Sequence, residues 1–294
     1  MRQETGDRRQ AGRRYMSLVP CPLSLRGLTV GIVGGGTMGE AFIKGLRAVG
    51  VSGARLIVSD VRVARLTALR RRYGVRVAHE NAALVAAASV VILAVKPQEI
   101  DAVLYECAAA RRTPSPLYLS IAAGVTLERL QRGLGRGAPV VRAMPNTAAR
   151  IGAAITALAA GRGVSARQRR QASAICGALG DVIDVPERWL NAVTAVSGSG
   201  PAYFFTLVAA MREAGRRVGL PPSVAQRLAA ATALGSGRLL VETGEDPATL
   251  IAQVASKRGT TEAALNVFAR RGFNRIVAEA VAAATRRARK LATD

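Results

Sequence analysis

An α/β chain in two parts, a parallel sheet covered by helices on both faces and then an all-helical half, is what the sequence predicts. Strand-like and helix-like runs alternate from residue 28 to residue 143, a run of glycines follows the first strand, and from Trp189 onward apolar residues recur at helical spacing. A length of 294 residues suits about two domains, each with a real core. The pattern places the sheet domain at residues 28–186 and the helical domain at 187–294.

Residues 28–33 read as a short buried strand and 38–49 as the helix after it. The strand 55–59 and helix 63–73 repeat that unit. A strand at 75–78, a helix near 81–88, a strand at 90–95, a helix at 98–110 and strands at 117–121 and 140–143 continue the alternation. Beyond Arg150 come a strand-like 154–159, a helix over 165–179 and a strand-like 182–185. A Ser197-Gly198-Ser199-Gly200 turn then leads into helices at 201–215, 221–242, 260–270 and 274–291. Helices this rich in alanine bury little area each, so the second half needs a partner subunit to complete its core. The longest uncharged run, 189–211, is interrupted by Gly198, Gly200 and Pro201, so no membrane helix is expected.

Residues 1–27 stand apart. Arg2, Arg8, Arg9, Arg13 and Arg14 lie there without apolar periodicity, as in a disordered extension, a targeting segment or translation from an early start codon; Glu4 and Asp7 count against a transit peptide. The chain carries 42 basic and 19 acidic residues, a net charge of +23, and only Lys44, Lys96, Lys257 and Lys290 of the cations are lysines. This arginine bias reads as genome composition. With aromatics at 4% and no basic stretch interleaved with aromatics, no nucleic-acid partner is expected. His79 is the only histidine and Cys21, Cys107 and Cys176 lie far apart, so no histidine-dependent triad, HExxH zinc site or CxxC pair can be built and no metal is expected. The scattered cysteines suit a cytoplasmic protein.

Gly34-Gly35-Gly36-Thr37-Met38-Gly39 matches GxGxxG between the first strand and its helix. Gly34 permits the tight turn, Gly36 lets the backbone approach a pyrophosphate, and Gly39 allows helix and strand to pack closely; the helix N-terminus offers free N–H groups to the phosphates. This is the signature of a Rossmann-type dinucleotide domain. Roughly 20 residues further on, an acidic residue would bind the ribose hydroxyls of NAD, whereas serine and arginine would suit the 2′-phosphate of NADP. The chain has Ser59, Asp60, Arg62 and Arg65, a mixed signal. We read it as favouring NADPH over NADH, with Asp60 turned outward and Ser59 and Arg62 facing the phosphate; Asp60 as a simple turn residue is the alternative. Val95-Lys96-Pro97 and Ser120-Ile121-Ala122-Ala123-Gly124 close two further strands at the edge where a cofactor would run. Lys96 is either a phosphate or ribose ligand or a surface lysine, and His79 reads as a loop residue.

In the helical half, Ser256-Lys257-Arg258-Gly259-Thr260-Thr261-Glu262 brings N–H groups and two hydroxyls to one helix start, with Glu262 placed to cap it. Alone, it reads first as an ordinary helix N-cap; its second reading is a carboxylate cradle.

Taken together, Gly31-Ile32-Val33-Gly34-Gly35-Gly36-Thr37-Met38-Gly39-Glu40-Ala41, Ala94-Val95-Lys96-Pro97-Gln98, Val141-Arg142-Ala143-Met144-Pro145-Asn146-Thr147, Ala195-Val196-Ser197-Gly198-Ser199-Gly200-Pro201-Ala202-Tyr203 and the 256–262 loop resemble the pyrroline-5-carboxylate reductase family across roughly residues 28–291. The resemblance implies reduction of the cyclic imine 1-pyrroline-5-carboxylate to L-proline with NADPH or NADH, the last step of proline biosynthesis. It further implies that residues 34–39 hold the pyrophosphate, Ser59 the adenosine end, Asn81, Val95, Lys96 and Pro97 the middle of the cofactor, and Ala122 and Ala123 its nicotinamide side. The substrate carboxylate would fall to Ser256, Gly259, Thr260 and Thr261, with Glu245 near the substrate and the Thr261 hydroxyl orienting the ring nitrogen. Family members form dimers through an all-α C-terminal dimerisation domain, with the substrate site at the subunit junction, and often assemble into decamers. An imine nitrogen can be protonated before hydride arrives, so the absence of a histidine base is no obstacle. Where many members carry Ser-Pro-Gly-Gly, this chain has Ser256-Lys257-Arg258-Gly259. A β-hydroxyacid dehydrogenase would need a lysine in the helical half, and none lies between Lys96 and Lys257; a nucleotide-binding regulator without catalysis is the other alternative.

Overall fold

The computed structural model describes residues 25–110 and 113–293. Most of the expected N-terminal extension, with Cys21, lies outside them. Leu25 is already packed in the core at 2% exposure, and the Gly27 carbonyl accepts a hydrogen bond from Arg55 Nη1 at 2.7 Å, so the folded domain includes residues 25–27. Contacts divide the described residues into two compact units, one of 25–200 with 283–293 and one of 201–282.

Eight strands form the sheet of the first unit: β1 (Val30–Val33), β2 (Leu56–Ser59), β3 (Arg76–Val77), β4 (Val90–Leu93), β5 (Leu117–Ser120), β6 (Val140–Met144), β7 (Ala154–Ala160) and β8 (Gly180–Asp184). Their order is β3-β2-β1-β4-β5-β6-β7-β8. Every neighbouring pair is parallel except β6 with β7. The sequences VGIV of β1 and VVIL of β4 are buried along their whole length, as a sheet covered on both faces requires. Alternation then sorts each strand between two cores. Ile32 and Ile92 join Phe42 and Leu46 of α1 (Thr37–Ala48), Leu66 and Leu69 of α2 (Val63–Tyr73), and Ile175 of the later helix Ala166–Gly177. Val33 and Leu93 face the other way, against Leu84 of α3 (Asn81–Ala87), Ile100 and Leu104 of α4 (Ile100–Ala108) and Leu130 of α5 (Leu127–Leu134). Helix α5, which the sequence reading left unassigned, supplies the crossover between two parallel strands; Thr126 caps it by accepting the Arg129 N–H at 3.2 Å. The helix Ala166–Gly177 is α6. Cys107 and Cys176 are free and buried, and burial pushes both thiols up, that of Cys107 to about 12.

The segment after β8 packs on the sheet domain. Leu190, at the start of α7 (Leu190–Val193), joins Ala157 and Ala159 of β7. Glu187 accepts hydrogen bonds from buried Arg142 Nη1 and from the Leu127 N–H at the start of α5, each at 2.7 Å. The turn expected at residues 197–200 is instead a π turn, Thr194–Gly198, running into α8 (Gly200–Arg217). The residues expected to interrupt a long apolar run therefore do not. Pro201 follows the π turn, in the first turn of α8. One helical stretch, Glu187–Arg217, is consequently long and apolar enough by length and composition to cross a membrane, with a mean hydropathy of 1.2 and 11% of that window buried.

The second unit contains α9 (Pro222–Thr243), α10 (Pro247–Val254), α11 (Thr260–Arg270) and the larger part of α12 (Phe273–Thr293), with α8 from Pro201 onward. Gly244, in the left-handed region at φ +65°, ends α9, and Asp246 caps α10 by accepting the Ala248 N–H at 2.8 Å. Only Ala225 and Ala229 of α9 are buried, while Phe204, Phe205 and Leu234 are each about two-thirds exposed.

On β7, the Thr156 side chain is wholly buried and its hydroxyl finds no hydrogen-bond partner among the described residues. An unpaired buried hydroxyl costs on the order of 1–3 kcal/mol. Thr156→Val keeps the branched shape and removes the hydroxyl, and urea unfolding is expected to show a gain of about 1 kcal/mol.

Candidate active site

The loop between β1 and α1 is held by the end of β2. Gly34 adopts φ +98°, a side chain there would sit 2.7 Å from the Ala94 carbonyl, and its N–H donates to the Ser59 carbonyl at 2.8 Å. A Cβ on Gly39 would collide with the Gly34 carbonyl, so only glycine lets the helix close on the turn. Gly36, the N-cap of α1, has no side-chain cap, and nothing lies within 4 Å of where its Cβ would be. The first N–H groups of α1 are thus left without a capping side chain on an open face, beside the point where the chain order reverses between β1 and β4, which fits a dinucleotide pyrophosphate. Thr37 is exposed and Met38 packs against the core.

Asp60 does not turn outward as expected. Its Oδ2 accepts the Gly35 N–H at 2.9 Å and Arg62 Nη2 at 3.1 Å, while its Oδ1 accepts the Arg62 backbone N–H at 2.9 Å and Nε at 3.0 Å. The physical reason is the loop's backbone: the Gly35 N–H needs an acceptor, and an inward carboxylate supplies it. The Gly35 carbonyl accepts from Arg65 Nε at 2.6 Å, and Arg65 also pairs with Glu40 on α1. Glu40 accepts Tyr73 Oη at 2.8 Å and Arg72 Nη1 at 3.2 Å, tying α1 to α2. Burial by itself would raise both carboxyls; the hydrogen bonds of Arg65 and Tyr73 to Glu40, and of Arg62 and Gly35 to Asp60, outweigh it and hold both below their ordinary values. Ser59 is buried and its hydroxyl donates to Asn81 Oδ1 at 2.6 Å, while Asn81 Nδ2 donates to Glu106 at 2.6 Å. Two cofactor candidates are thereby joined. The GxGxxG reading identified the glycines but missed Glu40, Asp60 as a loop clasp, and Glu106.

At the same edge of the sheet, Val95 and Pro97 are half-buried after β4 and Lys96 is exposed; Ala122 is buried and Ala123 half-buried after β5. The 141–147 and 195–203 motifs meet beyond β6. Asn146 caps the turn Thr147–Ile151, its Nδ2 lies 3.5 Å from Ser197 Oγ, and a Cβ on Gly198 would sit 2.7 Å from the Met144 methyl.

In the second unit, Gly259 is the N-cap of α11 without a side-chain cap, and its N–H donates to the Ser256 carbonyl at 2.9 Å. A Cβ on Gly259 would meet Ser256 Oγ and displace that hydroxyl from its place in the loop. The loop therefore brings together Ser256, Gly259, Thr260 and Thr261 at one helix start. Glu262 accepts the Arg258 N–H at 2.7 Å, one residue ahead of the N-cap, so it braces the loop and does not cap the first turn as expected; the Gly259 N–H is already taken by the Ser256 carbonyl. Glu245, on the loop before α10, accepts Gln253 Nε2 at 2.7 Å. Arg258, standing where many family members have glycine, adopts φ +61° and is the one non-glycine residue at positive φ among those described.

A family model described as pyrroline-5-carboxylate reductase dimerisation matches residues 187–291, and one described as NADP oxidoreductase, coenzyme F420-dependent, matches residues 29–124. Pyrroline-5-carboxylate reductase of Synechocystis sp. is 43% identical over 265 residues, covering 90% of this chain and 98% of the relative; that of Pseudomonas aeruginosa is 41% identical, covering 90% and 96%. A solved pyrroline-5-carboxylate reductase from Coxiella burnetii superimposes with a TM-score of 0.84 at 34% identity, covering 90% and 98%.

The left-handed conformation disfavours residues with a Cβ by about 1–2 kcal/mol. Arg258→Gly relieves this and retains the Glu262 bond, which is made to the backbone, so thermal unfolding is expected to show a gain of about 0.5–1 kcal/mol after the added chain entropy of glycine. For Glu40 and Asp60 the unfolded chain binds more protons near their ordinary values of 4.5 and 3.8, so the stability they contribute is complete above that range and is lost as the pH falls through their lowered folded values. Urea midpoints measured between about pH 3 and pH 6 should therefore fall toward acid, and less steeply in Glu40→Gln.

Proposed function

The chain belongs to the pyrroline-5-carboxylate reductase family, and from that premise we infer that it reduces 1-pyrroline-5-carboxylate to L-proline with NAD(P)H, the last step of proline biosynthesis. The observation that carries the reading is identity above 40% across nine-tenths of the chain, supported by an α1 N-terminus without a side-chain cap and with open space at Gly36.

Bound NAD(P)H supplies hydride to the imine carbon. The N–H groups after Gly36, those of Thr37, Met38 and Gly39, hold the pyrophosphate, with Gly34 and Gly35 shaping the turn. Ser59 and Arg62 lie at the adenosine end, Asn81, Val95, Lys96 and Pro97 line the middle, and Ala122 and Ala123 border the nicotinamide side. The substrate carboxylate is taken by the backbone N–H groups of Thr260 and Thr261 with the Ser256 hydroxyl, on a loop whose bend Gly259 permits. Lys257 and Arg258 add positive charge beside that anion. The Thr261 hydroxyl bonds the ring nitrogen and so fixes which face of the imine is presented; Glu245 borders the substrate. This role is positioning, because a protonated imine needs no further base.

The apolar side chains left exposed on the helical unit, Phe204, Phe205 and Leu234 among them, are covered by a second copy of the chain, in keeping with the dimerisation model matched there. That reading also accounts for the apolar stretch Glu187–Arg217 without a membrane. Sedimentation distinguishes a dimer from a decamer. Free, buried Cys107 and Cys176 suit a cytoplasmic location.

Thr261→Ala is expected to lower kcat/KM for the imine by about 10- to 100-fold, the loss of one hydrogen bond to a charged group. Calorimetry should find cofactor affinity unchanged. Unaltered turnover at limiting imine would remove Thr261 from the site, and no cofactor oxidation by the unaltered protein with this imine would overturn the activity itself.

A further inference from the structure

We propose that Asp60 determines cofactor choice through Arg62: by clasping that guanidinium at the end of the glycine loop it converts a position suited to a ribose diol into a reader of the adenosine 2′-phosphate, so the chain prefers NADPH to NADH. This rests on the nucleotide site proposed above.

A carboxylate at this point of a dinucleotide fold binds a ribose only if it has an acceptor position free. A carboxylate has about four such positions, and Asp60 already accepts four hydrogen bonds, one from Gly35 and three from Arg62. Taking a ribose hydroxyl would exchange a bond from a cation or a loop N–H for a weaker neutral one. Exposure gives the same direction, since the Asp60 side chain is 6% exposed and that of Arg62 is 63% exposed, so the pair shows solvent its cation. Two of the five guanidinium N–H donors of Arg62 face Asp60, leaving the others for an anion. The neighbouring cations are committed elsewhere: Arg65 to the Gly35 carbonyl and Glu40, Arg72 to Glu40. The Ser59 hydroxyl donates to Asn81, which leaves Arg62 as the reader of the phosphate. Asp60 is thus a positioning residue.

The test is calorimetric binding of NADP+ and of NAD+, which differ only in the 2′-phosphate, to the full chain, unaltered and as Asp60→Asn, Arg62→Ala and the double variant. Asparagine can still accept the Gly35 N–H but turns an amide N–H₂ toward Arg62. The unaltered chain should favour the 2′-phosphate by at least about tenfold, or 1.4 kcal/mol. Asp60→Asn should cut that ratio several-fold with little change for NAD+, Arg62→Ala should abolish it, and the double variant should match Arg62→Ala. Equal affinities in the unaltered chain, a ratio untouched by Asp60→Asn, or an equal loss for both ligands would overturn the proposal. Should Asp60→Asn fail to fold, Arg62→Ala still decides, because a ratio that survives it overturns the assignment. Binding of neither compound to the unaltered chain would overturn the nucleotide site as well.

Discussion

The site depends on how the backbone of one tight turn is satisfied. A glycine loop exposes N–H groups that must either bond within the protein or remain available to a ligand. Here the division is clear: the Gly34 and Gly35 N–H groups are taken by the Ser59 carbonyl and the Asp60 carboxylate, and those that open α1 have no side-chain cap. The loop is fixed by its first half and binds with its second. Close approach does the rest, because Gly34 and Gly39 press against carbonyl oxygens that no side chain would tolerate.

Charge reinforces that arrangement locally. Glu40 gathers Arg65, Arg72 and Tyr73, and Asp60 holds Arg62, so the arginine excess that composition presents as undifferentiated resolves, around α1 and α2, into two carboxylate-centred clusters. Such partly exposed pairs are individually modest in energy. Their value is geometric, since the Glu40 contacts tie α1 to α2 and the Asp60 contacts tie the loop to the start of α2.

Much of this was legible in the sequence. The alternation of strand-like and helix-like runs announced a sheet buried on both faces, and the glycine spacing placed the turn. The succession of strands along the chain and the helix 63–73 followed from alternation alone, whereas their order in the sheet did not. Other features depend on partners distant in the chain. Nothing local to Asp60 reveals that a loop N–H 25 residues earlier will turn it inward. The serine and glycine residues of 197–200 carry the composition of a turn, yet a π turn and a first-turn proline keep the helix continuous. Helices α5 and α10, each eight residues long, are too short for periodicity to stand out, although Thr126 and Asp246 were available as caps. The Ser256–Glu262 loop was legible as a helix start; that Arg258 takes a left-handed conformation emerges only in the folded loop.

Glu187 illustrates how one side chain can bind a protein's future substitutions together. Its carboxylate neutralises buried Arg142 and receives the first N–H of α5 at the same oxygen. An aliphatic pair would fill the volume of the ion pair, as buried ion pairs elsewhere permit, but it would orphan the Leu127 amide. Replacing either charge alone strands the other. Three elements far apart in sequence are therefore coupled as one inherited unit, and drift at position 187 is confined by obligations that no pairwise comparison of it with position 142 would reveal.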